Sequence, residues 1–203
     1  MRLLAISGSL RKDSLNTKLA RAAARLAPAG VEVDVVTLHG LPMYDEDLHG
    51  LGTPEPVAQL AARVRAADGV LIVTPEYNYS IPGALKNALD WLSRLTPSPI
   101  AGKPTAIASA SPGMLGGVRA QDHLRQILFG LDARTVTRPQ VIVGSAAGKF
   151  TRDGVLTDKV AVELLEALLD ALVGAGGNLH AIDVEEGRHR RQPVRAVAGR
   201  GFS

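Results

Sequence analysis

Gly69-Val70-Leu71-Ile72-Val73-Thr74-Pro75-Glu76-Tyr77-Asn78-Tyr79-Ser80-Ile81-Pro82-Gly83-Ala84-Leu85-Lys86-Asn87-Ala88-Leu89-Asp90-Trp91 opens as a strand and closes as a helix. Between the apolar run 69–74 and the helical spacing of 82–94 lie two prolines, two tyrosines, Asn78 and Glu76, more special residues than a plain connection needs. Ser80 and Pro82 are good first-turn residues for the helix. In a sheet protein the loop at a strand's carboxyl end is where a flat ligand lies, so the stretch reads as enzyme-like. Trp91 and the Lys86/Asp90 pair read as core residue and i,i+4 surface pair. Glu76, Tyr77 and Asn78 do not read as core.

Outward from this stretch, strands and helices alternate. Residues 2–7, 31–37, 69–74, 103–110 and 135–143 are strand-like, the last bent at Pro139. Leu15, Leu19, Ala22 and Leu26 recur at helical spacing until Pro28 and Gly30. Val57, Leu60, Ala61 and Val64 mark a second helix, and Leu124, Ile127, Leu128 and Leu131 a fourth that begins near Gly116. Val160, Leu164, Leu168 and Leu172 predict a last helix closed by Gly174, Gly176 and Gly177, with residues 179–184 as one more short strand or the start of a tail. This alternation predicts an α/β fold, a doubly wound five-stranded parallel sheet with strand order 2-1-3-4-5 as a common solution. In that order strands one and three flank the switch point where ligands bind, and the unusual loops follow those two strands.

The 203 residues suit one domain, and they contain no cysteine, which excludes disulfides, thiolate metal sites and a cysteine nucleophile. The formal charge of +3 resides in residues 185–203, where five arginines face Glu185 and Glu186; the remainder is neutral. A nucleic-acid partner would need basic residues clustered on the folded body, so none is expected. We therefore divide the chain into a domain over 1–184 and a basic, flexible tail over 185–203. Residues 1–7 read as a first strand rather than a signal segment, and no uncharged run approaches the ~18–20 residues of a membrane span. A cytoplasmic protein is expected. His39 and His49 are too sparse for a metal site, and His123 reads as structural.

After the first strand comes Ser7-Gly8-Ser9-Leu10-Arg11-Lys12-Asp13-Ser14-Leu15-Asn16-Thr17. Its hydroxyls, the Asn16 amide, the Arg11 guanidinium and the N-terminus of the next helix suit a phosphate monoester. The plain alternative is that Ser14 or Asp13 merely caps that helix. There is no Gly-Lys-Ser/Thr triplet here, nor three spaced glycines with an acid ending strand two. Residues 76–78 offer backbone groups to the edge of a planar ring, and Tyr77 or Tyr79 a ring face. The glycine-rich segment Ser109-Ala110-Ser111-Pro112-Gly113-Met114-Leu115-Gly116-Gly117 either lets backbone approach a ligand or simply connects a strand to a helix.

Three motifs together resemble the NADPH-dependent FMN reductase family, closest to its flavodoxin-like quinone and chromate reductases. They are Gly8-Ser9-Leu10-Arg11…Ser14…Asn16, Pro75-Glu76-Tyr77-Asn78…Pro82-Gly83…Leu85-Lys86-Asn87…Asp90-Trp91, and Gly116-Gly117…Gln121…His123-Leu124-Arg125-Gln126. The resemblance implies a flavodoxin-like fold that binds FMN, with Ser9, Arg11, Ser14, Asn16 and Thr17 at the phosphate. Pro75, Glu76, Tyr77 and Asn78 would line the ring, and Ser111 with Gly113 would approach it from the next loop. It also implies a homodimer or homotetramer. Asp122 departs from the family, whose members often carry a bulkier side chain there.

The expected activity is oxidation of NADPH (or NADH) through bound FMN, passing electrons to quinones or similar small acceptors by a ping-pong mechanism. No side-chain acid or base is needed for hydride transfer, so no catalytic residue in the strict sense and no metal ligand are assigned. A flavin reductase that releases reduced FMN to a monooxygenase is the nearest alternative. A flavodoxin-like electron carrier or redox sensor is a second, weakened by the neutral charge of the domain, because such carriers tend to be acidic.

Overall fold

Strands that are apolar on both faces must be covered on both sides, and the central strands here are of that kind. In the computed structural model, which describes residues 1–189, the strands are β1 (Arg2–Ser7), β2 (Glu32–Thr37), β3 (Gly69–Val73), β4 (Pro104–Ala110), β5 (Arg134–Thr135) and β6 (Val141–Val143). Every residue of β3 and β4 is buried, and every residue of β1 except Arg2. The strands form one parallel sheet in the order β2-β1-β3-β4-β5, with β6 also paired to β4.

The helices are α1 (Leu15–Arg25), α2 (Glu46–Gly50), α3 (Glu55–Ala66), α4 (Gly83–Arg94), α5 (Val118–Gly130) and α6 (Lys159–His189). Leu3 and Ala5 of β1 face α1 and α6, packing with Leu19, Ala22, Leu165, Leu168 and Leu172. Leu4 and Ile6 face the other way, into Leu60 and Val64 of α3, Leu85 and Leu89 of α4, and Leu124 and Leu128 of α5. Each such leucine stabilises by about 1.5–3 kcal/mol when fully buried. Trp91 is fully buried and its Nε1 donates to the Pro42 carbonyl at 2.8 Å. Asn87 donates to the same carbonyl at 2.8 Å and accepts from Tyr44 N at 2.7 Å, which ties the 42–44 loop to α4. Lys86 and Asp90 form the exposed i,i+4 pair at 2.7 Å.

Two expectations are corrected. The strand over 135–143 is two pieces, β5 and β6, that share the edge of β4. Pro139 has no N–H to give a ladder, so pairing lapses around it and resumes at Val141. The last helix does not stop at Gly174, Gly176 and Gly177, and there is no strand over 179–184. Instead α6 runs unbroken to His189, so part of the basic segment 185–203 is helical; residues 190–203 lie outside the described residues. Gly176 is buried, and a methyl group on it would collide with the Met1 side chain and come within 3.1 Å of the Asp68 carbonyl oxygen. That glycine serves close approach of α6 to the sheet rather than termination. Asp158 starts the helix by accepting from Ala161 N at 2.9 Å, which holds its carboxyl below the usual carboxylate range, as does its ion pair with Lys149 at 3.3 Å.

Gly174 and Gly176 therefore predict opposite signs in chemical denaturation. Gly174→Ala, with open space around its Cβ, is expected to stabilise by about 0.5–1 kcal/mol through helix propensity. Gly176→Ala is expected to destabilise by about 1–3 kcal/mol through overpacking.

Candidate functional site

The loops that leave β1, β3 and β4 meet at the carboxyl edge of the sheet around one cleft of about 540 Å³. This lies within the ~300–1,000 Å³ of small-molecule and cofactor sites. The cleft opens there because α1 leaves β1 toward one face of the sheet while α4 leaves β3 toward the other. A smaller cleft of about 300 Å³ lies at the opposite, amino edge, lined by Arg2, Glu32, Asp34 and Arg63, away from these loops.

The first wall is the β1–α1 loop. Ser9, Arg11, Ser14 and Asn16 line the cleft, and Ser9, Ser14, Asn16 and Thr17 are all buried. Ser14 caps α1: its hydroxyl accepts from the N–H groups of Asn16 and Thr17 at 3.2 and 3.4 Å. The capping alternative and the cleft-lining position thus hold for the same residue. The Asn16 side chain is committed elsewhere, donating to the Ala110 carbonyl at 2.9 Å and accepting from the Ala110 N–H at 2.9 Å. Thr17 lies behind the wall, its hydroxyl 2.8 Å from that of Ser7. Arg11 folds back to donate to the Asp13 carbonyl at 2.8 Å. His39, set aside as a metal ligand, bridges the Leu10 carbonyl and the Thr37 hydroxyl, both at 3.0 Å, and so fastens this loop to the end of β2.

The second wall is the β3–α4 loop, where Pro75, Glu76 and Tyr77 line the cleft. Tyr77 and Ser80 exchange both backbone hydrogen bonds, at 2.9 and 3.0 Å, around Asn78 (φ 49°) and Tyr79 (φ 69°). Positive φ at both central residues is the type I′ hairpin turn. Asn78 suits that conformation; Tyr79 is unusual in it, and the Arg119 guanidinium lies 4.2 Å over its ring. The turn carries Asn78 away from the cleft lining. Ser80 does not cap α4; its hydroxyl meets Nδ1 of His123 at 3.0 Å.

Glu76 has a role that its position in the chain does not reveal. Its Oε2 accepts from the N–H groups of Arg119 and Ala120 at 3.1 and 3.3 Å, and its Oε1 pairs with the Arg119 guanidinium at 3.4 Å. Glu76 is therefore the N-cap of α5, supplied from another loop. The residue at the cap position itself is Gly117, which has no side-chain oxygen to offer. It must be glycine: its φ is 95° and a Cβ would fall 2.9 Å from that of Ser109.

The third wall contributes Ala110, Ser111 and Pro112. Ser111 N donates to Val143 O at 3.0 Å, Ala146 N to Ser111 O at 2.9 Å, and Ser145 N to Gly113 O at 3.0 Å. Gly113 stands outside the lining, with only the Ser111 hydroxyl, at 3.5 Å, near its Cβ direction. Gly116 and Gly117 serve protein packing rather than ligand approach, since a Cβ on Gly116 would sit 2.6 Å from Ile142 Cγ2.

Sequence reasoning missed Asp13, Leu15, Lys18 and Ala147, which also line the cleft. Lys18 was legible in principle, being one turn beyond the start of α1 and so on the face of its first residues. Ala147 was not, because the turn after β6 reaches the cleft only through tertiary folding.

A family model described as NADPH-dependent FMN reductase matches residues 1–148. An NAD(P)H-dependent FMN reductase of Pseudomonas aeruginosa is 45% identical over 172 residues, covering 85% of this chain and 93% of the relative. A quinone reductase of Escherichia coli K12 is 45% identical over 174 residues, covering 84% and 93%. Among solved structures, the flavoenzyme NAD(P)H:(acceptor) oxidoreductase FerB of Paracoccus denitrificans aligns with a TM-score of 0.79 at 35% identity, covering 87% of this chain and 97% of that one.

Two polar ties between walls are testable by equilibrium denaturation. Asn16→Ala leaves the buried Ala110 N–H and carbonyl unpaired and is expected to cost about 2–4 kcal/mol. Glu76→Ala removes the cap of α5 and is expected to cost about 1–2 kcal/mol.

Proposed function

This chain belongs to the NADPH-dependent FMN reductase family, and from that premise we propose how its cleft works. The protein is an FMN-dependent NAD(P)H oxidoreductase, with quinones or similar small molecules as acceptors. The carrying observation is the convergence of the β1, β3 and β4 loops on one cleft at the switch point of the sheet.

The donor set there fits a flavin mononucleotide. At one end the Ser9 and Ser14 hydroxyls and the Arg11 guanidinium suit a phosphate monoester beside the N-terminus of α1. On the other walls Pro75, Glu76, the half-exposed Tyr77 and Ser111 line the same cleft, and their backbone groups and ring face suit a flat heteroaromatic ring. Asn16, within the wall, and Thr17, behind it, act by fixing the loop to β4 and β1. Asn78 acts by turning the hairpin that presents Tyr77, and Gly113 by leaving room beside Ser111. FMN, when bound, supplies the redox chemistry, taking hydride from the nicotinamide and returning electrons to the acceptor. The protein supplies position and a preorganised polar wall.

A single open mouth serves both substrates in turn, which is a ping-pong order. Tyr77 lines this mouth, and Tyr79, Met114 and Leu115, on the loops that follow β3 and β4, are likewise exposed apolar side chains; they support a homodimer or homotetramer in which a second subunit covers them. Among the described residues no helix is long and apolar enough to cross a membrane; the location we propose is cytoplasmic.

The purified protein is expected to carry a flavin absorption spectrum that survives gel filtration and to oxidise NADPH rapidly with a quinone. Double-reciprocal plots at several quinone concentrations are expected to be parallel. Intersecting lines would overturn alternating use of one site, loss of flavin on the column would favour release of reduced FMN, and absence of NADPH turnover would favour an electron carrier.

A further inference from the structure

We infer that Lys18 is the cation that neutralises the phosphate monoester of the flavin, an assignment that deepens the proposed function and rests on it. Lys18 lies on α1, lines the cleft on the same wall as Ser9, Arg11 and Ser14, and is half-buried. Its methylene stem runs along Gly154, where an added Cβ would stand 3.3 Å from Lys18 Cγ and 3.6 Å from Cδ. Gly154 is held in turn by Arg25, whose Nη2 donates to its carbonyl at 2.6 Å. A braced stem loses little rotamer freedom when its head meets a ligand.

Charge decides the role. Of the side chains lining this end of the cleft, Arg11 is positive and Asp13 negative, so without Lys18 they cancel. A phosphate monoester carries roughly −1.5 to −2 charges at neutral pH. The helix start offers less than usual, because the N–H groups of Asn16 and Thr17 already donate to Ser14 Oγ. Arg11 is partly engaged by the Asp13 carbonyl, Arg119 by Glu76 and Lys149 by Asp158. Among the described residues the Lys18 ammonium has no hydrogen bond or ion pair of its own. Two monoesters can reach such a group, the 5′-phosphate of FMN and the 2′-phosphate of NADPH. Its place among Ser9, Arg11 and Ser14 assigns the first.

The test titrates flavin-stripped, full-length protein with FMN and with riboflavin, read by flavin fluorescence, for the wild type, Lys18→Gln, Lys18→Arg and Asp13→Asn. Lys18→Gln is expected to weaken FMN about tenfold, the scale of one charge-assisted hydrogen bond, and to leave riboflavin unchanged. Lys18→Arg should retain most of the FMN preference, and Asp13→Asn should strengthen it. Added salt should narrow the gap between wild type and Lys18→Gln. An unchanged FMN-to-riboflavin ratio in Lys18→Gln overturns the inference while the flavoenzyme reading stands. So does an unchanged ratio accompanied by loss of the kcat/KM preference for NADPH over NADH, which moves the contact to the 2′-phosphate. A wild type that binds neither flavin overturns the proposed function and the inference with it.

Discussion

Right-handed crossovers impose one constraint on which the rest of this molecule depends. Going from β1 to β2 the chain must pass over one face of the sheet, and going from β3 to β4 over the other. The two connections therefore part at the carboxyl ends of adjacent strands, and a crevice opens between them that no side chain has to create. The buried aliphatic strands beneath make the floor stiff, because β3 and β4 have no exposed position at which to yield.

A crevice between loops would be floppy unless the loops were tied to one another, and here the polar residues serve that purpose first. Asn16 joins the first wall to the last residue of β4 through two buried hydrogen bonds. Glu76 joins the second wall to the start of α5, and His123 meets Ser80 on the same loop. His39 holds the first loop to β2, and residues 111–113 are pinned to 143–146. Residue types that look like ligand donors in the chain are therefore largely scaffold. In the proposed function, ligand contact is left to the remaining groups that line the cleft: hydroxyls, backbone, a ring face and the cations Arg11 and Lys18. Such economy favours affinity by preorganisation rather than by number of contacts.

Much of the fold was legible because its signals are local. Apolar runs of strand length, helical spacing such as Val57, Leu60, Ala61 and Val64, and Pro/Gly-rich loops at alternate junctions are properties of neighbouring residues. They pointed to the α/β alternation and to the three loops that meet at the cleft; the order 2-1-3-4-5 was one common solution for such alternation, and only the pairing of the strands decides it. Trp91 as core and Lys86 with Asp90 as a surface pair followed from the same periodicity.

What the chain by itself determined was the kind of element at each place and the chemical character of each loop. Tertiary structure alone decided which way side chains were spent. Asn16 reaches a residue 94 positions away, and Glu76 caps a helix that starts 42 residues later because Gly117 cannot cap it. The glycines at 174–177 look like a stop signal until Gly176 is seen against Met1 and Asp68. In each case the deciding partner is distant in sequence, and a pattern of neighbours holds no record of which distant groups the packed sheet brings within hydrogen-bonding or van der Waals range.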